Sequence, residues 1–167
     1  PPHPHTFVAL CQAGIELSYD YGRTWVEGFD LPPTAIRLGF PWHAIPLPPE
    51  YGYKVSVGGR EYALDLLLVS GYPGPVPGVS GKGERRYGLV AVSTEFIVEN
   101  RFSGRLDRGT LRLTHRPAVY GVLVDHYVVL ALQEGGVEVF DLASRTSFVS
   151  EAGLPRKAGT CRLAFYE

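Results

Sequence analysis

The sequence predicts an all-β protein, and three observations carry that reading. Short runs of β-branched and aromatic residues recur along the chain, each bounded by Gly, Pro, Asp or Ser. No Gly- and Pro-free stretch of roughly twelve residues shows a helical period. With 20 glycines and 14 prolines in 167 residues, the chain is punctuated too often for long helices.

In chain order the predicted strands are TFVALCQ (6–12), YKVSV (53–57), EYALDLLLV (61–69), YGLVAVS (87–93), EFIVEN (95–100), TLRLTHR (110–116), AVYGVLV (118–124), HYVVLAL (126–132), GVEVFD (136–141) and TCRLAFYE (160–167). GYPGPVPGVSGKGERR (71–86) holds too many prolines and glycines for a ladder and reads as an exposed loop. The length fits a single domain over 1–167 with its own core. A content of 45% apolar and 20% charged residues is that of a soluble globular chain, and no apolar run reaches the roughly 20 residues that span a bilayer.

Internal similarity refines the class. FVALCQAGIELSYDYGRTWVE (7–27) and VVLALQEGGVEVFDLASRTSFVS (128–150) share an apolar strand, a glycine turn, G-[IV]-E-[LV], a polar turn, then R-T. LVAVSTEFIVENRFSGRL (89–106) follows the same outline, and YKVSVGGREYALDLLLV (53–69) repeats strand, Gly-Gly turn, strand. A spacing of about 40 residues is the length of a propeller blade, so a small propeller-like array of about four hairpin units is expected, with a β-sandwich as the alternative. The last strand, 160–167, would then close the array beside the first. That would bring Cys161 near Cys11, and a disulfide there would close a loop of about 150 residues, stabilising by roughly 5 kcal/mol on the chain-entropy model. Two buried free thiols are the other reading of the same pair.

SYDYGRTW (18–25) joins two strands and explains itself as turn chemistry. Ser18 and Asp20 are expected to accept hydrogen bonds from backbone N–H groups two residues on, Gly22 supplies a positive φ, and Thr24 and Trp25 open the return strand. Trp25 is expected to cover the base of the hairpin, so that its truncation costs roughly 3 kcal/mol, as for a buried large aromatic. Ser18-x-Asp20-x-Gly22-x-Thr24-Trp25 resembles the Asp-box, or bacterial neuraminidase repeat, of sialidase-like and related β-propellers. The resemblance implies a propeller fold, with the box at a turn between outer strands of a blade and away from any catalytic face. It covers one motif only. The Phe/Tyr-Arg-Ile-Pro sequence of the enzymes has AIRLGFP (35–41) as its nearest counterpart, which does not match.

Other constellations read as structure. Asp125-His126 could not easily bond each other within a strand, where adjacent side chains point to opposite faces, and they read as a polar turn between strands. His3 and His5 invite an N-terminal copper or nickel site, but Pro2 has no N–H to lose to a metal. GVSGKGERR (78–86) lacks the glycine spacing, the Ser or Thr and the helix of a phosphate loop. Neither a catalytic set, a metal site nor a cofactor is predicted.

Charge is unevenly placed. Residues 82–116 hold eight basic against four acidic side chains, a local +4 within a chain of net −1. Arg101, Arg105, Arg108, Arg112 and Arg116 form the candidate binding ridge, with strand alternation placing Arg112, Thr114 and Arg116 on one face and Leu111 and Leu113 on the other. Such a ridge would suit an anionic partner, nucleic acid or acidic protein.

Thirteen arginines against three lysines, many prolines and no methionine hint at a thermophilic source. PPHPH at the start lacks a secretory pattern and points to a cytoplasmic protein, although a mature secreted chain would look the same. The expected function is a non-enzymatic structural or protein-interaction module, a subunit of a larger assembly. Binding of an anionic partner through 82–116 is the alternative, and a carbohydrate-binding or sialidase-like role comes third.

Overall fold

A computed structural model describes residues 7–11, 14–18, 20–30, 40–71, 88–100 and 106–150. The described chain is mostly β and entirely antiparallel in its pairing, and it forms successive meanders. β1 (Phe7–Cys11), β2 (Gly14–Ser18) and β3 (Val26–Asp30) make a three-stranded sheet. β4 (Phe40–Pro46) follows, and then a separate hairpin of β5 (Lys54–Val57) and β6 (Arg60–Ala63). β7 (Leu66–Gly71), β8 (Gly88–Val92) and β9 (Thr110–Arg112) complete the sheet that β4 begins, in the order β4-β7-β8-β9. β10 (Ala118–Val124), β11 (Tyr127–Leu132), β12 (Val137–Asp141) and β13 (Thr146–Ser150) form an uninterrupted up-and-down sheet.

The two four-stranded sheets share one core. Ile45, Leu67, Val69, Leu89 and Ala91 from the first meet Ala118, Val128, Leu130, Leu132 and Phe140 from the second. β10 lies against β4 and β7, and Gly121 makes the approach possible: a Cβ there would stand 2.9 Å from Val69 Cγ2 and 3.0 Å from Leu130 Cδ2. β1 in turn packs on β4, so the first strands of the three meanders are neighbours in chain order. Every residue of β7 and β8 is buried, Leu66, Leu68, Val90 and Val92 on the face away from that core included. Their near-continuous apolar sequences are what strands covered on both faces require.

Three predicted strands are corrected. EFIVEN is the helix α1 (Thr94–Asn100). Its first turn is capped by Ser93, whose Oγ accepts the Phe96 N–H at 3.2 Å, and by Asp65, whose carboxylate accepts the Thr94 N–H at 2.8 Å and the Thr94 hydroxyl. Tyr62 meets Phe96 edge-on at 5.1 Å, and Arg60 pairs with Glu95 at 2.7 Å and Glu99 at 3.0 Å, fixing the helix on β6. EYALDLLLV is two strands, because Asp65 leaves the ladder to make that cap while its N–H bonds Val92 O at 3.1 Å. TLRLTHR is strand only over β9: Thr114 is buried, and its Oγ1 accepts the Leu89 N–H at 2.9 Å, next to Gly88, whose φ of +96° brings the backbones together.

The local strand-turn-strand outlines are met in three of the four segments. Segments 7–27 and 128–150 each trace strand, turn, strand, turn, strand, as β1-β2-β3 and β11-β12-β13. Segment 53–69 gives the expected strand, Gly-Gly turn, strand as the hairpin β5–β6, which turns at Gly58 and Gly59, whereas 89–106 runs from β8 into α1. The loop predicted over 71–86 and the strand over 160–167 lie outside the described residues, except for Gly71 at the end of β7.

Candidate functional site

The SYDYGRTW turn is held by its own side chains. Ser18, fully buried at the end of β2, donates from Oγ to Asp20 Oδ1 at 2.9 Å and accepts the Gly22 N–H at 2.8 Å. Asp20 accepts the Thr24 N–H on Oδ1 at 2.8 Å and the Thr24 hydroxyl on Oδ2 at 2.6 Å, so both backbone donors lie four residues on and not two as expected. Tyr21 and Gly22 both take positive φ, 62° and 81°. The Thr24 hydroxyl and then its N–H hold the Asp20 carboxyl down to about 2. The polar groups of the motif are thus spent on the turn. Trp25 does not seal the hairpin as expected: it is 41% exposed.

The corresponding turn between β12 and β13 works by the same chemistry with different residues. Asp141 Oδ1 accepts N–H groups from Ala143 at 2.8 Å and Ser144 at 3.1 Å, and Arg145 takes a φ of 61°. The Ser144 N–H is the chief cause of a lowered Asp141 carboxyl pKa. The polar turn expected after G-V-E-V in 128–150 is this one, and the aspartate at the strand end builds it. Arg145 then lies over the Tyr53 ring at 4.4 Å, while the Tyr53 hydroxyl donates to Leu142 O at 3.0 Å.

No family model, curated protein or solved structure matches this chain. The geometry itself therefore has to nominate the working surface.

The basic ridge is not assembled by strand alternation. Arg101 and Arg105 lie outside the described residues, and Arg108 is exposed at the end of a 3-10 turn, Leu106–Gly109. Arg112 folds back onto its own chain, donating from Nε to Thr114 O at 3.2 Å and from Nη2 to His115 O at 3.3 Å. Leu111, expected on the inner face, is 37% exposed, while Thr114, expected beside the arginines, is buried. The strand ends at Arg112, and the period-2 pattern ends with it. Cys161 and the side chain of Cys11 are not among the described groups, nor are His3 and His5. Asp125-His126 form the β10–β11 turn as expected, with Asp125 at a φ of 52° and the His126 carbonyl accepting the Leu142 N–H at 2.8 Å. Among the described residues no group of three His, Cys, Asp or Glu could hold a metal, and no helix is long and apolar enough to cross a membrane.

A different surface stands out. The register of β10–β13 places Val122 opposite Val129, Val129 opposite Val139 and Val139 opposite Phe148. Opposed residues share a face, so these four form one apolar row across the whole sheet, on the side away from the core. Val137 and Tyr127 flank it in the neighbouring rows. The valines are part-exposed, and Phe148 is 63% exposed, the most open large hydrophobic side chain among the described residues. Alternation predicts polar residues on a solvent-facing sheet surface; Asp141, Thr146 and Ser150 meet that expectation in the flanking rows, whereas the row from Val122 to Phe148 has none.

Proposed function

We propose that this chain is a non-enzymatic interaction module, a propeller-like array of antiparallel meanders that works as a subunit of a larger assembly. The observation that carries the reading is the row Val122, Val129, Val139 and Phe148 on the open face of the β10–β13 sheet. An apolar row of that kind calls for a cover, because leaving it in water forfeits roughly 25 cal/mol for each Å² that a partner would bury. Three features support the propeller-like part: meanders in chain order, the neighbouring first strands β1, β4 and β10, and the Asp-box resemblance of 18–25. Burial of β7 and β8 on both faces favours such an array over a two-layer sandwich.

The test is a native mass measurement on protein from its natural source, repeated with Val139→Lys expressed in place of the wild type. A mass above that of one chain, lost in the variant, is expected. A single-chain mass for the wild type would contradict the reading.

A further inference from the structure

We propose that the outer edge of β13 pairs with β13 of a second copy of this chain, joining two four-stranded sheets into one of eight strands about a two-fold axis at Phe148. The inference rests on the interaction reading above and adds to it a second contact, at the edge of the same sheet and not over its apolar row.

The two edges of the β10–β13 sheet are unlike. β10 is covered, because it packs on β4 and β7. β13 is the other edge, and among the described elements it makes substantial contact only with β12. Four of its five residues are exposed. An edge strand is a template for a further strand, and folded proteins block such edges with lysine, proline, bulges or a covering segment. TSFVS carries neither charge nor proline, and its pairing with β12 runs without a bulge from Asp141–Thr146 to Val137–Ser150. The neighbouring cation does not guard it either, since Arg145 is drawn aside over Tyr53.

The sequence of β13 suits its own antiparallel copy. With Phe148 on the axis, Thr146 faces Ser150 of the partner subunit, Ser147 faces Val149 of the partner subunit, and Phe148 faces the partner's Phe148. Hydroxyl residues meet at both ends, aromatic rings meet at the centre, and no like charges oppose one another. The same register continues the outer apolar row of one sheet into that of the other through the two Phe148 side chains. That accounts for the place of Phe148, the most exposed large hydrophobic side chain among the described residues, at the middle of the edge strand. A two-fold interface of this kind is isologous and closed, so it gives a dimer and not a fibre. It is also small, below about 1,200 Å² in total, which places it with transient, concentration-dependent associations.

The test is sedimentation velocity on the full chain from low micromolar to near-millimolar concentration. The wild type is expected to move from one-chain to two-chain mass, and Phe148→Lys to weaken the association about tenfold or more by placing a charge on the edge. Should that variant not fold, amide hydrogen exchange of the wild type decides: protection of residues 147–149 is expected to rise with protein concentration. A wild type that stays at single-chain mass, a dimer indifferent to Phe148→Lys, or exchange that ignores concentration overturns the pairing. If the purified chain is monomeric while protein from the natural source keeps a larger mass that Val139→Lys abolishes, only the pairing falls. If both stay at single-chain mass, the interaction reading falls with it.

Discussion

Glu138→Val is expected to stabilise the protein. Glu138 sits in β12 on the core side, 4% exposed, opposite Leu130 on one neighbouring strand and Val149 on the other. Oε1 accepts the Ser147 hydroxyl at 2.9 Å, and Oε2 is buried without a hydrogen-bond partner. An unsatisfied buried polar atom costs about 1–3 kcal/mol, and the bond to Ser147 returns roughly 1 kcal/mol. Ser147 is itself exposed, so its hydroxyl can turn to water once the carboxylate is gone. Valine suits a central strand and faces apolar neighbours there. The net gain is therefore about 1–2 kcal/mol, or roughly 3–6 °C in Tm for a domain of this size. Thermal and urea unfolding followed by circular dichroism would measure it, with an unchanged m-value as the check on two-state behaviour. Ser147→Ala provides the control: alone it orphans the second oxygen and lowers Tm, whereas in the Glu138→Val background it is close to neutral. A Glu138→Val protein that melts several degrees lower would refute the argument and give Glu138 a role that its contacts do not reveal.

Trp25→Ala is expected to cost about 1–2 kcal/mol by chemical denaturation, below the range for fully buried aromatics, because the indole is 41% exposed. Asp65→Ala removes both caps that Asp65 gives α1 and strands the buried Thr94 N–H; a loss of about 2–3 kcal/mol is expected, with amides of 95–100 exchanging faster than those of β8. His43 stacks on Tyr120 at 4.6 Å, and burial pulls its pKa below the ordinary 6.5. The folded state thus prefers neutral imidazole, and its contribution is complete above about pH 6.5 and fades as the pH falls through the lowered folded value. Melting temperatures between pH 7.5 and 5 should therefore decline, with a shallower slope in His43→Gln.

What the sequence disclosed was local chemistry. The Asp20 turn was legible because every bond in it spans at most four residues, and Asp125-His126 was legible as two polar residues between apolar runs, the strands closing on Val124 and Tyr127. Helix α1 was not, since seven residues rich in Phe, Ile and Val carry a strand-like composition and the decisive cap comes from Asp65, 29 residues back. The fate of the arginine ridge depended on where β9 stops, which is set by Thr114 bonding Leu89 across the sheet. Trp25 and Leu111 were misplaced because exposure is a tertiary property that alternation alone does not determine.

The candidate surface was present in the sequence in a form that only the register makes readable. LLLV in β7 and GLVAV in β8 are apolar at consecutive positions, and the structure buries both of their faces. AVYGVLV and YVVLAL have the same two-sided character, but only one of their faces reaches the core, leaving Val122, Val129 and Tyr127 on the other with part of their surface open. Two strands of like composition within one chain thus meet unlike surroundings. In a minimally frustrated protein each local choice agrees with the final structure. The row Val122, Val129, Val139 and Phe148 runs out at the uncharged edge of β13, so a strand added there would lengthen the row, whereas a cover for it would have to come from the face of the sheet.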